Sequence, residues 1–209
     1  MAEPLDVVKA FHSAFRRDMA AIDAAAHDTA RGKPGLEPVI ERFRFFNEEL
    51  VWHARAEELA VFPALEAVVP SVVEAYARDH RGLDAAYETL NAAAAAHDAL
   101  ATARATAAFK FHLDIHLAKE DAHLYRLVRE RVPDLDKMVG RMSSTVPPNR
   151  FPEAIAWLFA MLDPDDRENV TRVWQTLMPP PVFAQVKPLI RKAVGNDWAE
   201  LTRKIPTLE

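Results

Sequence analysis

The sequence predicts an all-α protein: four antiparallel helices packed as a bundle, followed by a C-terminal extension of short helices. Three observations carry this. Half of the 209 residues are hydrophobic, enough for a sizeable core, yet only 5 are Gly and no stretch shows the apolar–polar alternation of a strand. Ala-rich runs such as Ala92 to Ala96 favour helix. Two segments also repeat each other at a fixed offset, each with polar residues one helical turn apart.

The first helix is expected from about Pro4 to Ala30, where Val7, Val8, Phe11, Phe15 and Met19 follow helical spacing, and Gly32-Lys33-Pro34-Gly35 stops it. A second runs from about Leu36 to Val69, with a kink at Pro63, which cannot donate to the carbonyl of Leu59. Pro70-Ser71 opens a third, ending near Ala96, and Asp98 is an N-cap for a fourth ending near Val132. Short loops imply antiparallel neighbours. The chain is thus read as a bundle domain over 1–132 and a helical extension over 133–209. In the extension Asp134 to Met142 reads as helix and Ser143 to Pro148 as linker. Short helices follow over Phe151 to Leu162, Asp166 to Met178 and Val182 to Val194. Asp163-Pro164 is an N-cap with a proline in the first turn, and Gly195-Asn196 ends the last helix. Trp157, Trp174 and Trp198 are expected to serve packing against the bundle, dimer contact (a homodimer through the extension) or a lid. The extension has no His, and its tail from about Pro147 onward is expected to be dispensable for metal binding.

The repeated segments carry the chemistry. The first reads Trp52-His53-Ala54-Arg55-Ala56-Glu57-Glu58, then Phe62, then Val69-Pro70. The second reads Ile115-His116-Leu117-Ala118-Lys119-Glu120-Asp121, then Tyr125, then Val132-Pro133. A His and a Glu four residues apart lie on one helix face about a turn from each other, and imidazole with carboxylate suits Fe, Mn or Zn. A lone His precedes each pair by a helix length: His12 and His80. Four packed helices bring six such side chains to one point, and six ligands with bridging carboxylates saturate more than one tetrahedral ion. Burying them without metal would cost several kcal/mol.

With these residues the chain resembles the haemerythrin-like, or HHE cation-binding, proteins over about its first 130 residues. The carriers are His12, His53, Glu57, His80, His116 and Glu120, flanked by Glu58, Asp121, Phe62 and Tyr125. The resemblance implies an up-down four-helix bundle around two non-haem iron ions bridged by carboxylates and a solvent-derived oxygen. One departure stands out. Oxygen carriers of the family place a second His one turn after the third-helix His, where this chain has Asp84. Their last carboxylate comes five residues after its His, a place taken here by Asp121 rather than Glu120. These departures point toward carboxylate-richer members linked to sensing or to oxygen and peroxide chemistry.

Around the six residues lie further candidates. His112 and His123 share the stripe of His116, Glu49 holds the place of His112 in the first repeat, and Tyr87 lies seven residues after His80. Each could be a ligand, a hydrogen-bond partner or a proton relay, set against a polar bundle end open to solvent, and for Glu49 the open end is favoured. Phe62 and Tyr125 are expected to pack near the site. His27, His97, Arg16-Arg17 and Arg129 to Arg131 read as solvated surface. A ferritin-like site is disfavoured because it pairs Glu-x-x-His with Glu from the other helices. Haem ligation is weaker still, and a zinc-only structural bundle remains compatible with the residues.

Composition excludes other classes. Net charge is −5 and the pI about 5.9, with no basic stripe, which argues against nucleic acid. The absence of Cys removes disulfides, thiolate haem and Cys-bound iron–sulfur clusters. No signal-length or membrane-length apolar run occurs, so a soluble cytoplasmic protein is expected. The functional expectation is a non-haem di-iron protein that binds or reacts with oxygen, peroxide or nitric oxide, foremost in redox chemistry such as peroxide decomposition. The alternatives are an oxygen- or iron-sensing module without turnover, and iron handling.

Overall fold

The computed structural model describes residues 2–209, and every regular element among them is helical. They form two compact units. One is Phe15–Pro133; the other joins the residues up to Ala14 with Asp134–Glu209.

The Phe15–Pro133 unit holds most of α1 (Asp6–Ala30), then α2 (Leu36–Ala56), α3 (Phe62–Glu66), α4 (Pro70–Ala95), α5 (Ala99–Lys119) and α6 (Tyr125–Arg131). The turn between α1 and α2 uses Gly32 and Gly35 at φ of 90° and 121°, a region costly for residues with a Cβ. Pro70 sits in the first turn of α4, where its missing N–H is no loss. Asp98 caps α5 by accepting from the Ala101 amide at 2.9 Å, as expected from sequence. Helices α4 and α5 share the most extensive contact in the unit.

The expected kink at Pro63 takes another form. Between α2 and α3 the chain makes one π-helical turn, Glu57–Val61, and Pro63 falls in the first turn of α3. A second π-helical turn, Glu120–Leu124, joins α5 to α6. Both start on the acid of the His-x-x-x-Glu pair.

An aromatic layer built from α1, α2 and α5 underlies the site. Phe43 meets Phe109 edge-on at 5.2 Å between ring centres, and Phe15 meets Phe46 at 5.6 Å. Polar ties fix the helices across this layer. Arg42 pairs with the buried carboxylate of Asp18 at 2.6 Å, and the Thr106 hydroxyl donates to Asp23 at 3.0 Å. The Tyr76 hydroxyl donates to the Lys119 carbonyl at 2.9 Å.

The second unit contains α7 (Leu135–Met142), α8 (Phe151–Met161), α9 (Pro164–Leu177), α10 (Pro180–Val194) and α11 (Trp198–Lys204), the last not anticipated. Helix α8 is strongly apolar, burying Ile155, Trp157, Leu158 and Phe159, and Trp174 of α9 packs on Phe159 at 5.6 Å. Phe11 lies 6.3 Å from Trp157, so the first residues of the chain share this core. Asp163 caps α9, as its sequence context predicts. No helix among the described residues is long and apolar enough to cross a membrane.

Candidate metal centre

In the Phe15–Pro133 unit, His53 comes from the last turn of α2, His116 from the last turn of α5 and His80 from the middle of α4. Glu57 and Glu120 open the two π-helical turns. The three His are buried, and both Glu are fully buried. Glu57, His80, His116 and Glu120 each offer a ligand atom, all within 4.8 Å of one another. His53 stands in the same relation to Glu57 and Glu120, so the two carboxylates are common to both sets. The individual approaches are 3.2 Å from His80 Nε2 to Glu57, 3.2 Å from His116 Nε2 to Glu120 and 3.5 Å from His53 Nε2 to Glu57. His12 is fully buried on α1, one turn before Phe15, in the other unit.

The π-helical turns explain how the flanking aromatics reach the site. The amides of Phe62 and Tyr125 donate back to the carbonyls of Glu57 and Glu120, five residues earlier. One extra residue per turn brings the aromatic round to the face its acid occupies. Phe62 stacks on His80 at 5.3 Å, and the buried Tyr125 hydroxyl donates to Glu57. Both aromatics thus pack at the site, as expected. The repeat also separates cause from coincidence. The residue matching Pro63 in the second turn is Arg126, so proline is not needed to make the turn.

Two buried carboxylates dominate the electrostatics of the cluster. Burial, then the charge of Glu57, pushes the Glu120 carboxyl well above its ordinary pKa. Tyr125 is raised well above its usual value by burial and by the same two carboxylates. For Tyr76, burial and then Glu120 push the phenol up to about 12. Burial pushes His80 down, but Glu57 and Glu58 outweigh it and leave its pKa raised. Two acids forced together out of water disfavour each other's ionisation, and a bound cation reverses that cost. Imidazoles with shared carboxylates are a donor set suited to such an ion.

A ring of charged groups surrounds these residues. Glu58 accepts from His80 Nδ1 at 2.9 Å. Asp79, paired with Lys119, lies 3.8 Å from His116 Nδ1. Arg16, read from sequence as surface, is partly buried and grips Asp121 at 2.7 Å. Glu49 corrects the expectation of an open end, because it is 2 % exposed. His112 and His123 are exposed, as are His27 and His97. Tyr87 stacks on Phe43 at 5.9 Å. The pairings of Glu58 and Arg16 were not found from sequence, since both join residues far apart in the chain. The one available signal was an acid directly after the metal-type Glu in each repeat.

A cavity of about 360 Å³ opens onto His53, His80 and His116. Leu50, Leu83 and Phe109 supply apolar wall, while Arg55, Glu58 and Asp84 supply charge. Asp84, which stands where oxygen carriers would have a second His, is exposed and lines this cavity.

Comparison with known proteins finds relatives and a family. The chain is 25% identical over 185 residues to Zinc finger protein BRUTUS of Arabidopsis thaliana, covering 84% of this chain and 15% of that protein. It is 22% identical over 200 residues to a BRUTUS-like zinc finger protein of the same plant, covering 90% of this chain and again 15% of the relative. The chain thus spans about 15% of the length of the curated relatives it matches. No solved structure matches it. The family model for the hemerythrin HHE cation binding domain matches residues 3–98 and 71–145, and the chain belongs to that family.

Proposed function

We propose that this chain is a binding module whose centre holds two non-haem iron ions and takes up a small ligand such as oxygen or nitric oxide. The observation that carries it is the sharing of Glu57 and Glu120 between two sets of imidazoles, one with His80 and His116, the other with His53. His12 completes the second set by the repeat register, which pairs it with His80, and by its full burial. The four-helix up-down arrangement implied by the family supplies the frame. Iron in such a site provides the redox-active, ligand-binding chemistry. The chain's residues orient it, keep it dry and leave the cavity at His53, His80 and His116 as the approach.

Binding is favoured over peroxide turnover. Turnover needs a proton donor held at the reacting ligand, yet His112 and His123 are exposed, and Tyr87, on the cavity wall, is held by its ring against Phe43 and shows no hydrogen bond into the His and Glu cluster. Tyr125 already donates to Glu57. That the relatives carry the matching stretch within much longer chains also supports a module.

Iron-loaded protein exposed to oxygen, then separately to nitric oxide, tests this. The optical spectrum should change with at least one gas, and Glu57→Ala and Glu120→Ala, having lost the metal, should show no response. An iron-loaded wild type whose spectrum ignores both gases would overturn the ligand-binding reading.

A further inference from the structure

The cavity that opens onto His53, His80 and His116 sets three carboxylates, Glu58, Asp84 and Glu88, against one guanidinium, Arg55. His80, Asp84 and Glu88 stand four residues apart on α4, so they follow one side of the helix at about 6 Å per step. Asp84 and Glu88 are exposed, while His80 is buried. Glu58 is engaged by His80 Nδ1, but among the described residues neither Asp84 nor Glu88 pairs with a cation. Two like charges one turn apart without a counter-charge work against the helix that carries them. Both line the cavity, so their field acts on whatever approaches the buried imidazoles. A centre holding cations draws anions toward itself. Carboxylates along the approach oppose that pull, because a cleft lined by one sign of charge focuses the field into its interior.

We propose that Asp84 and Glu88 make this cavity a charge filter, which speeds divalent cations toward the centre, slows anionic ligands and leaves neutral oxygen and nitric oxide unaffected. The inference rests on the reading that the centre holds cations and takes up a small ligand through this cavity. It narrows that ligand to a neutral molecule. Both side chains are exposed, so the double variant Asp84→Asn, Glu88→Gln keeps the packed core intact.

Three rates measured by stopped-flow absorption test the proposal: cobalt(II) entering metal-free protein, azide binding to iron-loaded, air-oxidised protein, and nitric oxide binding to iron-loaded protein kept reduced. At low salt the double variant should take up cobalt about 10-fold more slowly and azide about 10-fold faster than wild type, with the nitric oxide rate unchanged. Both differences should shrink as ionic strength rises from about 0.01 to about 1 M, where the screening length falls from about 30 Å to about 3 Å. A control that removes the same charge outside the cavity wall, Glu37→Gln with Glu41→Gln, should leave all three rates as in wild type. The proposal is overturned if the cobalt and azide rates stay put or move in the same direction, if the nitric oxide rate moves as far as the azide rate, or if the control pair matches the double variant. A wild type that takes up no metal overturns the metal reading itself. One that holds iron yet binds neither azide nor nitric oxide overturns the ligand-binding reading. The filter falls with either.

Discussion

At Glu57 and Glu120 two carboxyl groups share one buried volume, and the metal-free protein bears that cost as proton binding. Glu120 and His80 both have folded pKa values above their ordinary ones. Each therefore contributes stability below its unfolded pKa and loses it as pH rises through the folded value. Metal-free protein should weaken as pH climbs past the ordinary Glu and His values of 4.5 and 6.5. Metal loading runs the other way, because it needs carboxylates without protons and neutral imidazoles, so it should release protons and tighten as pH rises. Melting of metal-free Glu120→Gln against wild type isolates the effect. The variant should gain on wild type as pH increases, and a constant difference would contradict this. The Tyr125 hydroxyl supplies a hydrogen bond to the Glu57 carboxyl, so Tyr125→Phe should cost about 1.5 to 3 kcal/mol in denaturant unfolding at neutral pH. At this scale the clustering of His53, Glu57, His80, His116 and Glu120 was legible in the sequence because the repeat states the His-x-x-x-Glu pair twice. Glu49 was not, because one acid on a polar stripe carries no sign of whether the neighbouring helices cover it.

At the scale of elements, the long helices and their ends follow from local chemistry, with Gly32 and Gly35 ending α1, Pro70 opening α4 and Asp98 capping α5. The two π-helical turns do not. A π-helical turn costs hydrogen-bond geometry and is retained where it places side chains at a site. Its local residues, Glu57 to Val61 and Glu120 to Leu124, include no Gly or Pro, so no helix breaker marks it. The aromatic five residues after the acid in both repeats is the trace it leaves. Since the second turn forms around Arg126, Pro63→Ala should keep both the turn and full metal occupancy. A Pro63→Ala protein that folds but loses metal would show that proline, rather than the repeated acid and aromatic, sets the geometry.

At the scale of the whole molecule, the all-helical class was plain from composition and spacing. The joining of residues up to Ala14 with Asp134–Glu209 was not, because Leu5, Val7, Val8 and Phe11 continue an ordinary amphipathic pattern whose partners are distant in sequence. Truncation after Val146 would remove Trp157 from Phe11 and strip the cover from that apolar segment. It should lower the melting temperature and expose dye-binding surface. Trp157→Ala alone should cost about 3 to 5 kcal/mol, read from denaturant unfolding. A truncated chain that melts as the full chain does would contradict this.

The central claim, that two sets of imidazoles share Glu57 and Glu120 around two cations, meets its most direct test in metal content. The protein is stripped of metal, loaded with ferrous iron in the absence of air, freed of excess by gel filtration and measured by elemental analysis against protein concentration. Two tightly held irons per chain are predicted, falling to none in the double variant Glu57→Ala, Glu120→Ala. One iron per chain, or two that persist in the double variant, would contradict the account.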